Sequence, residues 1–352
     1  VNSIALPRRH ALNARGWALG GLSALLAVAA IGGMAVGAMP LSATQVLGAL
    51  LRWLDGLPMQ GQDAVVLTLR LPRVLMASLV GAALACSGAT MQGLFRNPLV
   101  EPGLVGVSAG AALGAIGMIV LGGAVTAALS PLFGSFAIAG AAFGGGLLAT
   151  FLVYRFGSRR PGVATLLLAG VAINAIAMAG VGVLTYLANE HQLRDLTFWT
   201  LGSLGGSSWA RLGAVAPLML LPLLWLPTQA RALNALLLGE REASLLGFEP
   251  RKLRRRLVTV VALATGAAVA MCGVIGFVGL LVPHVLRLVW GPDHRLLLPG
   301  SALAGAGLMI GADAVARVAV APAELPVGVI TALLGGPFFL WLLSRLRAGE
   351  AG

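Results

Sequence analysis

Apolar runs of about 17 residues or more, separated by short polar segments, recur along nearly the whole chain, and each can cross a hydrocarbon core of roughly 30 Å as a helix. Clear runs lie near 17–39, 74–94, 103–121, 132–154, 163–187, 212–227, 257–273, 297–320 and 327–344. The stretch 257–286 would form a helix about 45 Å long, too long for one crossing. Gly273, Gly276, Gly279 and Pro283 offer places to break it. A further short span over 277–290 is therefore predicted, which brings the total to ten.

The first run follows Arg8, Arg9 and Arg15 and so has the layout of a signal peptide. Its apolar stretch exceeds the usual 7–15-residue signal core, and more spans follow, so it reads as the first transmembrane helix. With the N-terminus inside and ten spans, the inner segments carry 18 of the 24 Lys and Arg, and both termini are cytoplasmic. The composition agrees: 58% of residues are hydrophobic and 10% charged, against about 25% charged in soluble domains. The 49 glycines suit close helix packing in lipid. The expected fold is an all-α integral membrane protein, one transmembrane domain over 1–352. The net charge of +12 does not indicate nucleic acid, because the basic residues lie between apolar runs and are not interleaved with aromatics. Cys86 and Cys272 sit inside apolar runs and read as buried reduced thiols.

The segment 228–256 is the longest cytoplasmic one. It includes Gly239, Glu240, Glu242, Ala243, Leu245, Leu246 and Gly247. Glu242 and Leu246 share a helix face. By residue pattern alone this is either a basic juxtamembrane loop that fixes topology or a short amphipathic helix for a soluble partner.

Several chemistries are missing. The single lysine, Lys252, follows Arg251, whereas a phosphate-binding P-loop needs Gly immediately before its Lys. No HExxH and no clustered Cys/His set occurs, so no metal site is expected. His284, after Pro283, reads as a packing or hydrogen-bonding residue. Asp313 is the main acid at membrane depth; four residues before Arg317, it is expected to form an i,i+4 ion pair. That pairing counts against an ion-coupled secondary transporter, which would need a functional buried acid.

Motifs narrow the choice. Arg70-Leu71-Pro72-Arg73 precedes the small-residue helix 81–88, which ends at Asn97-Pro98; Pro102-Gly103 then opens the next helix. Further along come Leu166-Leu167-Leu168-Ala169-Gly170, the 238–247 segment, Gly276-Phe277-Val278-Gly279-Leu280, Pro283-His284-Val285-Leu286-Arg287, Asp293-His294-Arg295 and Glu324-Leu325-Pro326-Val327-Gly328. In this order the motifs resemble the FecCD-type (type II) ABC importer permeases for iron-siderophore, haem or cobalamin, over nearly the whole chain.

The resemblance implies a homodimer in the bacterial inner membrane, two separate ATPase subunits that hold ATP and Mg, and a periplasmic binding protein. It implies no permanently bound cofactor and no catalytic residues in this chain. It makes 239–247 the coupling helix seated in the ATPase. It carries Arg70, Arg73 and Arg317 over as docking residues for the binding protein. All three are expected at outer helix ends, where three cations on the side disfavoured by topology would want an anionic partner. It points to Asn97, Val163 and Ala164 at the inner gate, although cobalamin permeases carry small hydroxyl residues at the latter pair and both are apolar here. The outer loop 193–206 is closer to haem permeases than to siderophore permeases. There Arg194 is a candidate contact for a haem propionate, with a local pair to Asp195 or Glu190 as the alternative. The expected substrate is haem, with cobalamin or a ferric siderophore as the alternative.

Overall fold

A computed structural model describes residues 8–37, 39–123, 131–158 and 163–350. Arg159 and Arg160, counted above among the inner charges, lie outside the described residues. Among the described residues seven helices are long and apolar enough to cross a membrane: α1 (Arg8–Ala35), α3 (Gly61–Phe95), α5 (Pro131–Gly157), α6 (Val163–Leu187), α8 with α9 (Trp209–Trp225 and Ala230–Leu238), α11 (Pro250–Cys272) and α13 (His294–Val318). The shorter apolar helices α4 (Val107–Leu121), α12 (Val278–Trp290) and α14 (Val327–Glu350) bring the set to the ten predicted runs. The remaining helices lie between spans: α2 (Ala43–Leu54), α7 (Glu190–Leu201) and α10 (Glu240–Leu245).

Helix α3 is the centre. Nearly every residue from Val80 to Phe95 is buried, and the helix packs against α8, α11, α12 and α13. Its small residues are the reason. At Gly81 a Cβ would collide with the Gly305 backbone of α13, and at Gly88 with the Gly279 backbone of α12. Two neighbours therefore approach to backbone contact, which gives tight van der Waals packing where lipid supplies no hydrophobic drive. By contrast α1 lies at the rim, with only 11% of its spanning window buried.

Several boundaries differ from the sequence expectation. Helix α3 begins at Gly61, ahead of the run at 74–94. Asp63 accepts from the Gln60 backbone N–H at 2.9 Å and from Arg52 Nη2 at 2.6 Å, which anchors an extra outer turn. A π-helical stretch, Val65–Arg70, then widens the helix before Arg70. Helix α4 starts at Val107 because Pro102–Val105 forms a single 3-10 turn, and Gly106, at φ 93°, ends it. The outer segment read as a loop contains α7. Asn189 and Gln192 cap its start reciprocally at 2.9 and 3.0 Å, and Gln192 also reaches the last carbonyls of α4 at Ile119 and Val120.

The break predicted within 257–286 falls after Cys272. Residues 273–277 leave the helix, and Phe277, at φ 67°, turns the chain into α12. Non-helical backbone at membrane depth must be enclosed by protein. Here Ser203 N–H donates to the Cys272 carbonyl at 2.7 Å, and Gln92 Nε2 to the Gly279 carbonyl at 3.1 Å.

Candidate functional site: a charged outer cluster, a polar turn and a cytoplasmic helix

At the outer end of the bundle, Arg70 and Arg73 from α3 meet Asp313 and Arg317 from α13. Arg70 donates to the carbonyls of Met34 at 2.5 Å and Ala35 at 3.1 Å, and to that of Met39. Arg317 donates to Gly33 O at 2.7 Å and Val36 O at 2.6 Å. These carbonyls lie at the C-terminal end of α1, where the helix dipole favours a cation. Asp313 takes Arg317 Nε at 3.1 Å, so the expected i,i+4 pair is present. It also takes Arg73 Nη2 at 2.9 Å, and Arg73 reaches Glu324 at 2.9 Å as well. Arg70 and Arg317 are only 7% and 8% exposed. These arginines therefore need no outside anion, because this chain already supplies their partners. Glu324 stands in the Glu324-Leu325-Pro326 motif, far along the chain from Arg73. Its contact with Arg73 spans 251 positions and leaves no local signal.

On the inner side, Arg96 adopts φ 50° and closes α3. Asn97 accepts from Leu99 N–H at 2.9 Å through Oδ1, the local turn its residue type favours. Val163 opens α6, and Ala164 is exposed in the same turn. The two elements are joined by a residue that the sequence reading did not single out: Asn174 Nδ2 donates to the Gly103 carbonyl at 3.1 Å, tying α6 to the turn beyond Asn97.

Beside that turn lies a cavity of about 80 Å³ lined in part by Glu101, Ser108, Thr265 and Phe277. Thr265 Oγ1 is buried with no hydrogen-bond partner among the described residues. Burial pushes the Glu101 carboxyl above its ordinary value. Glu101 is thus a second acid drawn away from water, half-buried where Asp313 is fully buried.

On the cytoplasmic face α10 stands between α9 and α11. Gly239, at φ 139°, precedes it, and a Cβ there would collide with the Glu242 carboxylate folded back upon it. Ala243 is fully buried, while Leu245 is 81% and Leu246 60% exposed. Glu240 pairs with Arg254 of α11. Helix α9 is fixed in turn to the start of α13: Asn234 Nδ2 donates to Asp293 at 2.7 Å, and His294 N–H to Asn234 Oδ1 at 2.9 Å. The cytoplasmic segment is shorter than the expected 228–256, because Ala230–Leu238 continues one spanning helix and Pro250 opens the next; residues 239–249 form a short helix and turn between them that presents Leu245 and Leu246 outward.

Arg194 lies exposed on α7 and makes no ion pair among the described residues, so the alternative pairing with Asp195 or Glu190 is not formed. Buried Leu196 and the Gln192 cap fix the helix that carries it. His284 packs against Phe338 and Phe339 at 5.9 and 6.2 Å between ring centroids. Among the described residues no group of three or more His, Cys, Asp or Glu could hold a metal.

Among the described residues, ten apolar helices, with the small-residue helix α3 buried among them, and a braced cytoplasmic helix define a multi-pass membrane permease. Residues 25–345 match the FecCD transport family, and the chain belongs to that family of ABC importer permeases. It is 46% identical over 338 residues to the hemin transport system permease protein HmuU of Yersinia pestis, covering 95% of this chain and 97% of that protein. It is also 46% identical over 280 residues to the vitamin B12 import system permease protein BtuC of Klebsiella pneumoniae, covering 79% and 82% respectively. A solved metal-chelate type ABC transporter in an inward-facing conformation superposes with a TM-score of 0.81 at 34% identity, covering 93% of this chain and 98% of that one.

Proposed function

We propose that this chain is the membrane subunit of an importer that moves haem from a periplasmic binding protein across the bacterial inner membrane, driven by ATP hydrolysis on separate subunits. The observation that carries the coupling is the Leu245–Leu246 pair, exposed on a helix that α9 and α11 hold rigidly. Exposed leucines on a rigid mount suit a cleft in a soluble partner. In this reading two copies form the pathway. Each contributes Asn97, Val163 and Ala164 at the inner end, and Arg194 at the outer end is free to meet a carboxylate. The binding protein docks on the outer face, where Arg73 with Glu324 is the accessible part of the arginine cluster and Arg70 and Arg317 act by holding α1 in place.

Haem is favoured over cobalamin by the near-complete span of the likeness to the hemin permease and by an unpaired Arg194 suited to a propionate. Cobalamin is kept as a second reading, because the vitamin B12 permease is equally identical over its shorter match. The test is ATP hydrolysis by the permease reconstituted in liposomes with its ATPase and binding protein. Haem-loaded binding protein should stimulate turnover, and Arg194→Ala should weaken that stimulation. Stimulation by cobalamin with haem silent would replace the first reading by the second.

A further inference from the structure

A groove of about 460 Å³ runs between α5 and α11, within the roughly 300–1,000 Å³ typical of ligand sites. Each wall is one helical stripe. Helix α5 contributes Leu147, Phe151 and Tyr154, and α11 contributes Val258, Ala262 and Leu263. On α5 positions 147, 151 and 154 recur at four and three residues; on α11 Thr259 lines the groove as well, and 255, 258, 259, 262 and 263 recur at three and four, so each set shares one face of its helix. At one end the groove changes character, with Arg155 and Ser158 on one side and Arg255 on the other. Helix α5 ends near that point and α11 begins there, next to the cytoplasmic helix α10. The two arginines therefore sit at the inner membrane surface, and the apolar walls lead from them towards the bilayer centre.

Both arginines are exposed, and neither has an ion-pair partner among the described residues. Of the acids on α10 and before α11, Glu240 pairs with Arg254, Glu249 pairs with Lys252 at 2.8 Å, and Glu242 folds back on Gly239. Among the described residues no Asp or Glu lines the groove.

The geometry points to a specific site for an anionic phospholipid of the inner leaflet, its phosphate held by Arg155 and Arg255 and one acyl chain laid along Phe151 and Leu263. Guanidinium groups suit a phosphate because they can donate two parallel hydrogen bonds. Basic pockets between spanning helices on the cytoplasmic side are where such headgroups bind. A second copy of this chain is disfavoured as the occupant, because a twofold contact here would bring four unpaired arginines together.

The full-length chain, purified in detergent, would be titrated with phosphatidylglycerol or with phosphatidylcholine of the same chain length, and bound lipid counted by native mass spectrometry. One phosphatidylglycerol per chain should bind about tenfold tighter or more than phosphatidylcholine, from roughly a factor of five for each arginine at the surface. Arg155→Gln with Arg255→Gln should remove that preference. Arg231→Gln with Arg256→Gln takes the same charge from elsewhere on the inner face and should preserve it. Thr259→Trp keeps both arginines but obstructs the groove, and it should weaken phosphatidylglycerol binding without abolishing folding. Equal binding of the two lipids overturns the site, and so does an equal loss in the control pair. Disulfide cross-linking between Phe151→Cys chains of two copies in native membranes would assign the groove to a protein interface instead.

Discussion

Asp313 holds two arginines at once, and this changes what a substitution at Arg73 reports. Arg73→Glu would set a third carboxylate against Asp313, which is 1% exposed, and Glu324. Removing one partner from a buried pair costs about 3–5 kcal/mol, so this variant should lose stability before it says anything of docking. Thermal unfolding in detergent checks this, and a parent-like midpoint would mean that the cluster is dispensable. Glu324→Gln is the cleaner probe of the outer face, because it leaves Arg73 on Asp313 and alters an exposed group. An exposed pair is worth roughly 0.2–1 kcal/mol, so binding-protein affinity should shift by no more than about fivefold, and the shift should shrink at high salt. Glu101 offers a second residue-level test. Burial raises its carboxyl, so the folded chain binds the proton more tightly than the unfolded chain does. That contribution to stability is present below the unfolded value and is lost as pH rises through the folded one. Glu101→Gln should be neutral in acid and relatively stabilising above the ordinary carboxylate range, with the difference growing as pH rises. A pH-independent difference would place Glu101 in contact with water.

At the scale of elements, the face that α10 offers to a partner and the attachment of α9 to the bundle can be cut separately. Leu245→Asp with Leu246→Asp alters exposed side chains only, so folding should change by less than about 0.5 kcal/mol per site. Each leucine buried in a partner would contribute about 1.5–3 kcal/mol, so ATPase assembly should weaken at least tenfold. Co-purification and dimer integrity, measured together, separate the two effects; normal assembly would remove α10 as the joint. Asn234→Ala acts differently. It severs α9 from the start of α13 and leaves the leucines in place. ATPase subunits should still bind, while hydrolysis and transport come apart. Unchanged coupling in that variant would mean that motion reaches the bundle through α11 and the Glu240–Arg254 pair.

At the scale of the whole molecule, the chain should hydrolyse no ATP above background when purified alone, because its one lysine follows arginine and cannot complete a P-loop. Turnover by the pure chain, free of a second polypeptide, would contradict a division of labour between permease and ATPase. The packing also bears on the ion-coupled alternative. Asp313, the acid at membrane depth, is neutralised by two guanidinium groups and is not poised as a relay. Transport that collapses with the proton gradient while ATP is present would revive that alternative.

The sequence by itself determined the number of apolar runs, their orientation and the presence of a break within 257–286. These follow from local facts: the length of an apolar run, the side on which Arg residues lie, and glycines or prolines that a helix cannot absorb. Gly273, Gly276, Gly279 and Pro283 mark a break within 257–286, whereas the residues between Gly239 and Gly247 are compatible with either a loop or a short helix. What only the tertiary structure decided is which side chains meet. Arg73 finds Glu324 across 251 positions, Asn234 finds Asp293 across 59, and Asn174 finds Gly103 across 71. No periodicity encodes such pairings, because each depends on the angle and depth at which whole helices cross. The same limit explains the arginines: topology placed Arg70, Arg73 and Arg317 on the disfavoured side, but only the approach of α1 to α3 and α13 set carbonyls and carboxylates within their reach.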